Sequence, residues 1–271
     1  MNRQERLAAL LDLVVSNGTV YIDDIVAQLN ISPATARRDL DYLSGQQLVS
    51  RIRGGVVVNP GSGEVPMRFR AVRNTEHKQA IAHAAVDMIE RGDVIALNGG
   101  TTTTAIATEL GRRLSEDFPF ADDLVTVVTN ALNIATDLAV RPQVRVVVTG
   151  GVARARSYEL VGPLASLMYP HISVDKVFLG VRAFDPDHGV FTDNESEAVA
   201  NRALVGIARK SYAVADSTKF SASAFAKICP VEEFVGVITD SQISDPVRAR
   251  CESKGLNVII GSTEADVIAR A

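Results

Sequence analysis

The sequence predicts an α/β protein in two parts, an N-terminal winged helix-turn-helix joined to a mostly parallel α/β domain. Three observations predict it. Apolar residues at helical spacing fill residues 4–43 and lead straight into an alternating, glycine-turned segment. A Pro/Gly/Ser stretch, Asn59 to Gly63, then interrupts the chain. Beyond it, near-continuous Val/Ile runs alternate with helical patterns, the signature of a parallel sheet covered on both faces.

Length and composition set the bounds. At 271 residues the chain holds one large domain, or a small and a medium one. With 46% apolar and 22% charged residues it has the make-up of an ordinary globular protein. Every apolar run breaks well short of the ~18 residues of a transmembrane span. The start, Met1-Asn-Arg-Gln-Glu-Arg6, opens an amphipathic helix rather than a signal peptide. Cys229 and Cys251 are too few for a disulfide framework, so a reducing cytoplasm is the expected location. A net charge of −4 argues against a protein that is basic all over, yet leaves room for a local basic patch.

In the first part, Leu7, Leu10, Leu11, Val14 and Val15 share a helical face, and Asn17-Gly18 ends that helix. A second short helix begins at Asp23, with Ile25, Val26 and Leu29 inward. Ser32-Pro33 opens a third, with a serine N-cap and proline in the first helical position. Ala36, Leu40 and Leu43 pack inward, which leaves Ala34, Thr35, Arg37, Arg38 and Asp41 outward. Gln47 to Arg53 then alternates, Gly54-Gly55 turns, and Val56 to Val58 returns, which makes a wing with Arg51 and Arg53 on its polar side. Residues 1–60 hold six basic and six acidic groups, but the basic ones gather on the third helix and the wing. A helical bundle with no partner, or with a protein partner, would share the helical spacing. The placed arginines favour DNA. Ser32, Pro33, Ala34, Thr35, Arg37, Arg38, Arg51 and Arg53 are the residues expected to face it.

The domains expected are 1–58, a linker over 59–75, and 76–271. A helix over 76–91 opens the second domain. Strands are expected at 94–97, 124–128, 144–148, 175–179, 211–215, 235–239 and 257–260. Helices are expected near 102–114, 131–140, 160–168, 195–209 and 246–254. In such folds ligands sit outside the C-terminal strand ends. Those ends carry Asn98-Gly-Gly-Thr-Thr102, Thr129-Asn130, Thr149-Gly-Gly151, Gly180-Val-Arg182 and Asp216-Ser-Thr-Lys219. At the first of them, strand, glycine turn and helix start aim backbone N–H groups at one point, where the helix dipole favours an anion. Thr101 to Thr104 add hydroxyl donors. The plainer alternative is a tight βα turn with capping threonines.

Other chemistry finds little support. Neither a Walker pattern nor G-x-G-x-x-G is present, so no nucleotide cofactor is indicated. The run Asp185 to Asp193 has its glycine one place too early for a calcium loop. The four histidines and two cysteines lack metal-ligand spacing. There is no nucleophile elbow, and Lys219 and Glu197 are as readily salt-bridge formers as an acid or base.

Together these residues resemble the DeoR family of bacterial transcriptional regulators. The winged helix is similar through Ile31-Ser-Pro-Ala-Thr-Ala-Arg-Arg-Asp-Leu40 and Leu48-Val-Ser-Arg-Ile-Arg-Gly-Gly55. The sensor is similar through Gly99-Gly-Thr-Thr102, Thr129-Asn130, Gly150-Gly151, Val161-Gly-Pro163, Asp175-Lys-Val-Phe-Leu-Gly180 and Asp216-Ser-Thr-Lys-Phe220. The resemblance implies a sensor fold similar to ribose-5-phosphate isomerase, with the glycine-threonine loop holding a phosphate. It implies a repressor of carbohydrate-metabolism genes that binds double-stranded operator DNA and answers to a phosphorylated sugar or related metabolite. Because one winged helix gives too small a footprint for specific control, a homodimer or homotetramer is expected. From their place at the C-terminal strand ends, Gly100, Thr101 and Thr102 are expected to hold the phosphate, with Gly99 in the same effector site and Lys219 as charge partner. Asn98 and Glu197 meet sugar hydroxyls, Asn130 and Gly151 line the crevice, and Arg182 adds a second cation. Two departures stand out. Asn98 replaces the family's usual Asp, and Val181-Arg182-Ala183 replaces its usual Ala/Val, Asp/Asn, Gly. The alternatives are a sugar-phosphate isomerase with a fused helix-turn-helix, which fold alone cannot exclude, and a winged helix used for protein contact.

Overall fold

The computed structural model describes residues 1–58, 67–70, 74–118, 121 and 124–263. They form two compact units, Met1–Arg73 and Asn74–Ala271. The expected linker stretch at 59–63 lies outside the described residues.

The first unit runs α1 (Arg3–Asn17), β1 (Thr19–Tyr21), α2 (Ile22–Leu29), α3 (Pro33–Gly45), β2 (Val49–Ile52), β3 (Gly55–Val58) and α4 (Met67–Arg70). Leu7, Leu10, Leu11, Val14, Ile25, Ala36, Leu40 and Leu43 meet in one core, as their spacing requires. Asn2 and Glu5 form a capping box at the start of α1, and Ser32 caps α3 through the Thr35 N–H at 3.2 Å. The wing is a three-stranded sheet in the order β1-β3-β2. Its third strand, β1, was not legible, because three residues are too few to show a period. The expected 59–75 linker needs correction at 67–70. Met67 and Phe69 are buried, and Phe69 joins the core of this unit, so that turn belongs to the first unit.

The second unit runs α5 (Thr75–Val86), β4 (Val94–Leu97), α6 (Thr101–Asp117), β5 (Val125–Thr129), α7 (Leu132–Leu138) and β6 (Val144–Val148). Then come β7 (Val152–Ala153), β8 (Leu160–Val161), α8 (Pro163–Ser166), β9 (Val174–Gly180), β10 (Ala183–Asp185), β11 (Gly189–Thr192) and α9 (Glu195–Gly206). It closes with β12 (Ala208–Val214), β13 (Ala226–Cys229), β14 (Gly236–Asp240), α10 (Asp245–Ser253) and β15 (Asn257–Gly261). The seven expected strands are the seven of one sheet, ordered β15-β14-β12-β9-β4-β5-β6, and every pair in it is parallel. Alternate residues serve opposite faces. Ile95, Leu97, Phe178 and Ile238 pack under α5, α6 and α7, while Ala96, Val177, Leu179 and Val237 pack with α9 and α10.

Three elements differ from expectation. The helix expected at 160–168 is strand β8 followed by one helical turn, because Gly162 takes a φ of 95° and Pro163 starts the helix afresh. The helix expected to reach Ile89 and beyond ends at Val86, and the one expected to reach Arg209 ends at Gly206, where β12 begins pairing with β9. The short antiparallel pairs β7-β8 and β10-β11-β13 were not anticipated.

Candidate functional site

On the first unit, Ser32, Pro33 and Ala34 are exposed and Thr35 half-buried at the start of α3. Arg37 and Arg38 are exposed one turn further on. Behind them, Asp39 is buried and accepts from Arg6 Nε at 2.5 Å, which ties α3 to α1. That hydrogen bond raises the pKa of Arg6 further. Arg51 on β2 lies 3.6 Å from Asp41 of α3, so wing and helix are linked by charge. Arg37, Arg38 and Arg53 have no ion-pair partner among the described residues. A row of unpaired guanidiniums on a capped helix and a wing tip suits a phosphate backbone and base edges.

On the second unit, strand order reverses between β4 and β9, since β5 and β6 follow on one side of β4 and β9, β12 and β14 on the other. The crevice at such a reversal is where open α/β sheets take ligands. Asn98 sits there, fully buried. Its Nδ2 donates to the Gly180 carbonyl at 2.9 Å and its Oδ1 accepts from the Gly180 N–H at 2.7 Å. An aspartate could accept from that N–H but would repel that carbonyl, so Asn98 closes the two strand ends together. Gly99 and Gly100 follow, half-exposed, and α6 begins. The N–H groups of Thr101, Thr102 and Thr103 have no backbone acceptor among the described residues, and no side chain caps this helix. Of the four threonine hydroxyls expected as donors, those of Thr103 and Thr104 bond back to the Gly100 carbonyl, at 3.1 and 2.6 Å.

The β7-β8 hairpin brings in a residue that sequence reasoning missed. Glu159 is 2% exposed, and its side chain lies over Gly99 so closely that a Cβ there would stand 2.3 Å from its Cγ. Asn130, at the end of β5, donates from Nδ2 to Glu159 Oε2 at 3.4 Å. Burial above all pushes the Tyr169 phenol up, Thr149 opposes it, and the Glu159 charge adds to it. Arg154, in the same hairpin, donates to Glu197 Oε1 at 2.9 Å, and Thr192 donates to Oε2 at 2.9 Å. Gly151 takes a φ of 118° and packs against Val161 and Ala165, so it shapes the hairpin base.

Two other expected residues have partners of their own. Arg182 donates from Nε to Asp193 at 3.1 Å, and Lys219 Nζ lies 3.9 Å from buried Asp216. The structure thus joins Asn98, Gly99 and Asn130 through Gly180 and Glu159, and ties Glu197 to the hairpin through Arg154. No group of three His, Cys, Asp or Glu side chains is placed to hold a metal ion among the described residues, and no described helix is long and apolar enough to cross a membrane.

Comparison with known proteins covers both units. The DeoR-like helix-turn-helix domain matches residues 6–61, and the DeoR C-terminal sensor domain matches residues 73–241. The chain is 33% identical over 258 residues to the HTH-type transcriptional regulator GlpR of Haloferax volcanii, covering 95% of this chain and 97% of that one. It is 28% identical over 241 residues to the glycerol-3-phosphate regulon repressor of Escherichia coli K12, covering 89% and 92%. Among solved structures it is similar to ribose 5-phosphate isomerase A of Methanocaldococcus jannaschii, with 19% identity and a TM-score of 0.39 over 54% of each chain. With both domain types matched in order and full-length relatives that are transcriptional regulators, this chain belongs to the DeoR family of transcriptional regulators.

Proposed function

We propose that this protein represses carbohydrate-metabolism genes by binding operator DNA, and that a phosphorylated sugar or related metabolite sets its operator affinity. The observation that carries the effector half is the uncapped start of α6 at the sheet's reversal point, where three N–H groups without backbone acceptors follow two half-exposed glycines. A phosphate fits that end by charge and by hydrogen bonding. Lys219 supplies the cation. Asn98 positions the loop through Gly180, while Glu197, Arg182, Asn130 and Gly151 frame the sugar. The name of the Escherichia coli relative, a glycerol-3-phosphate regulon repressor, agrees with this ligand class.

The DNA half rests on Ser32, Pro33, Ala34, Thr35, Arg37 and Arg38 in the major groove, with Arg51 and Arg53 along the backbone. One winged helix covers too little DNA for specific control, so the working form is a homodimer or homotetramer in the cytoplasm. The protein is not an enzyme in this reading. Glu197 is held by Arg154 and Thr192, and Lys219 lies beside Asp216, which is the use of such groups in structure rather than in proton transfer.

A pair of variants tests the two sites. Effectors are first found by thermal shift of the full chain with phosphorylated sugars, since a bound ligand stabilises the folded state. Lys219→Ala should abolish the effector response and keep operator affinity in its absence. Arg38→Ala should lose about 1–3 kcal/mol of operator binding and keep the calorimetric signal for effector. Loss of both activities in both folded variants would refute the two-site reading, and turnover of ribose 5-phosphate would establish the enzyme instead.

A further inference from the structure

The first unit carries a cation at the start of α1 that the reading of α3 and the wing does not use. Arg3 is exposed, and its guanidinium carbon stands 4.8 Å from the centre of the Tyr42 ring on α3. No carboxylate pairs with it among the described residues. The one acid in the first turn of α1, Glu5, is committed to the capping box, where it accepts from the Asn2 N–H at 2.8 Å and from Asn2 Nδ2 at 2.7 Å. Nor is Arg3 needed to fasten α1 to α3, since Arg6 and buried Asp39 already do so. Stacking uses the flat face of a guanidinium and leaves its in-plane N–H groups for an anion.

Tyr42 follows Arg38 by four residues and Asp41 follows Arg37 by four, so each stands one turn on from its arginine, along adjacent lines of α3. Asp41 in turn holds Arg51 of the wing at 3.6 Å. Each line of α3 therefore has an arginine brought to it from another element, Arg51 from β2 and Arg3 from α1. An α-helix about 10–12 Å across fills a major groove about 12 Å wide, so the two phosphate backbones run along its two flanks. We propose that Arg3, positioned by Tyr42, contacts the phosphate backbone on the Arg38–Tyr42 side of α3, while Arg51 serves the Arg37–Asp41 side. The inference rests on the DNA reading above and deepens it, because it adds the second side of a clamp. Arg3 reads no base; it fixes how α3 sits in the groove. Its phosphate contact releases a counterion, which raises affinity for every sequence and steepens the dependence on salt.

Fluorescence anisotropy of the full chain tests this with two duplexes of equal length, titrated over a range of salt concentrations. One duplex is selected by the wild type from a random-sequence pool, and the other is its scrambled counterpart. Arg3→Gln, which removes the charge, should weaken both duplexes alike, by about 5- to 10-fold at about 0.1 M salt for each winged helix bound. It should also flatten the slope of log K against log salt by about 0.9 for each winged helix. Arg3→Ala should do the same and guards against a folding defect in the first variant, whereas Arg3→Lys should keep most of the slope. Tyr42→Leu, which frees the cation but retains it, should weaken both duplexes by about 2- to 5-fold with the slope nearly unchanged. An unchanged slope in the folded Arg3→Gln and Arg3→Ala variants, or a loss confined to the selected duplex, would overturn the inference. If Arg38→Ala and Arg51→Ala weaken binding and the Arg3 variants do not, the DNA face stands and this inference alone fails. If none of them weakens binding, the DNA face is wrong and both fall together.

Discussion

At the residue scale, the clearest titration belongs to Glu109 on the buried side of α6. The Arg112 hydrogen bond first, then the nearby His83 charge and Arg113, hold its carboxyl below the ordinary 4.5 against the opposing effect of burial. His83 Nδ1 stands 3.0 Å from Oε1 and joins α5 to α6. Because the folded value is the lower one, Glu109 contributes stability above pH 4.5, and this is lost as pH falls through the folded value. Glu109→Gln should lower Tm at pH 7 by about 2–4 °C, a deficit that narrows as pH falls below 4.5. A deficit of the same size at pH 7 and pH 3 would show that shape, not charge, matters there.

At the element scale, the wing depends on close backbone approach. A Cβ on Gly55 would stand 2.4 Å from the Val20 carbonyl oxygen, across the β1-β3 pair. That oxygen is backbone and cannot swing aside, while Gly54 beside it turns the chain at a φ of 76°. Gly55→Ala should therefore cost the first unit about 1–3 kcal/mol, seen as an earlier urea transition of that unit. Operator binding should weaken while the effector-induced thermal shift stays as in the wild type. Equal weakening of both would mean that the two units unfold as one. Helix α3 illustrates the same dependence on local rules, since its Ser32 cap and Pro33 start agree with the face that Ala36, Leu40 and Leu43 bury.

At the scale of the whole molecule, the proposed assembly can be tested where apolar surface remains. Val152, Leu164 and Val199, on β7, α8 and α9 of the sensor, and Leu167 just after α8, are each about two-thirds exposed. These elements adjoin one another, with Gly151 against Ala165. Sedimentation should show a dimer or tetramer at micromolar concentration, and Leu164→Asp with Leu167→Asp should shift it toward monomer. A wild-type monomer, with and without DNA, would refute association through the sensor.

The sequence by itself determined the two-part architecture, the seven-stranded parallel sheet and the loops at its C-terminal edge. Buried parallel strands are written as local Val/Ile runs, and the glycines and polar residues at their ends are local too. It also showed the helix-turn-helix, because caps, turns and the period of 3.6 act within a few residues. What only the tertiary structure decided were contacts between distant segments. Leu160, Val161, Leu164 and Leu167 mimic a helical face, and only Gly162 and Pro163 at the base of a hairpin break it. That hairpin carries Glu159 onto Gly99 and Arg154 onto Glu197, 43 residues away. Two-residue strands have no readable period, and a carboxylate looks the same in sequence whether solvated or sealed over a glycine. The choice between them is made by the packing of hairpin on sheet, a free energy that no single segment contains.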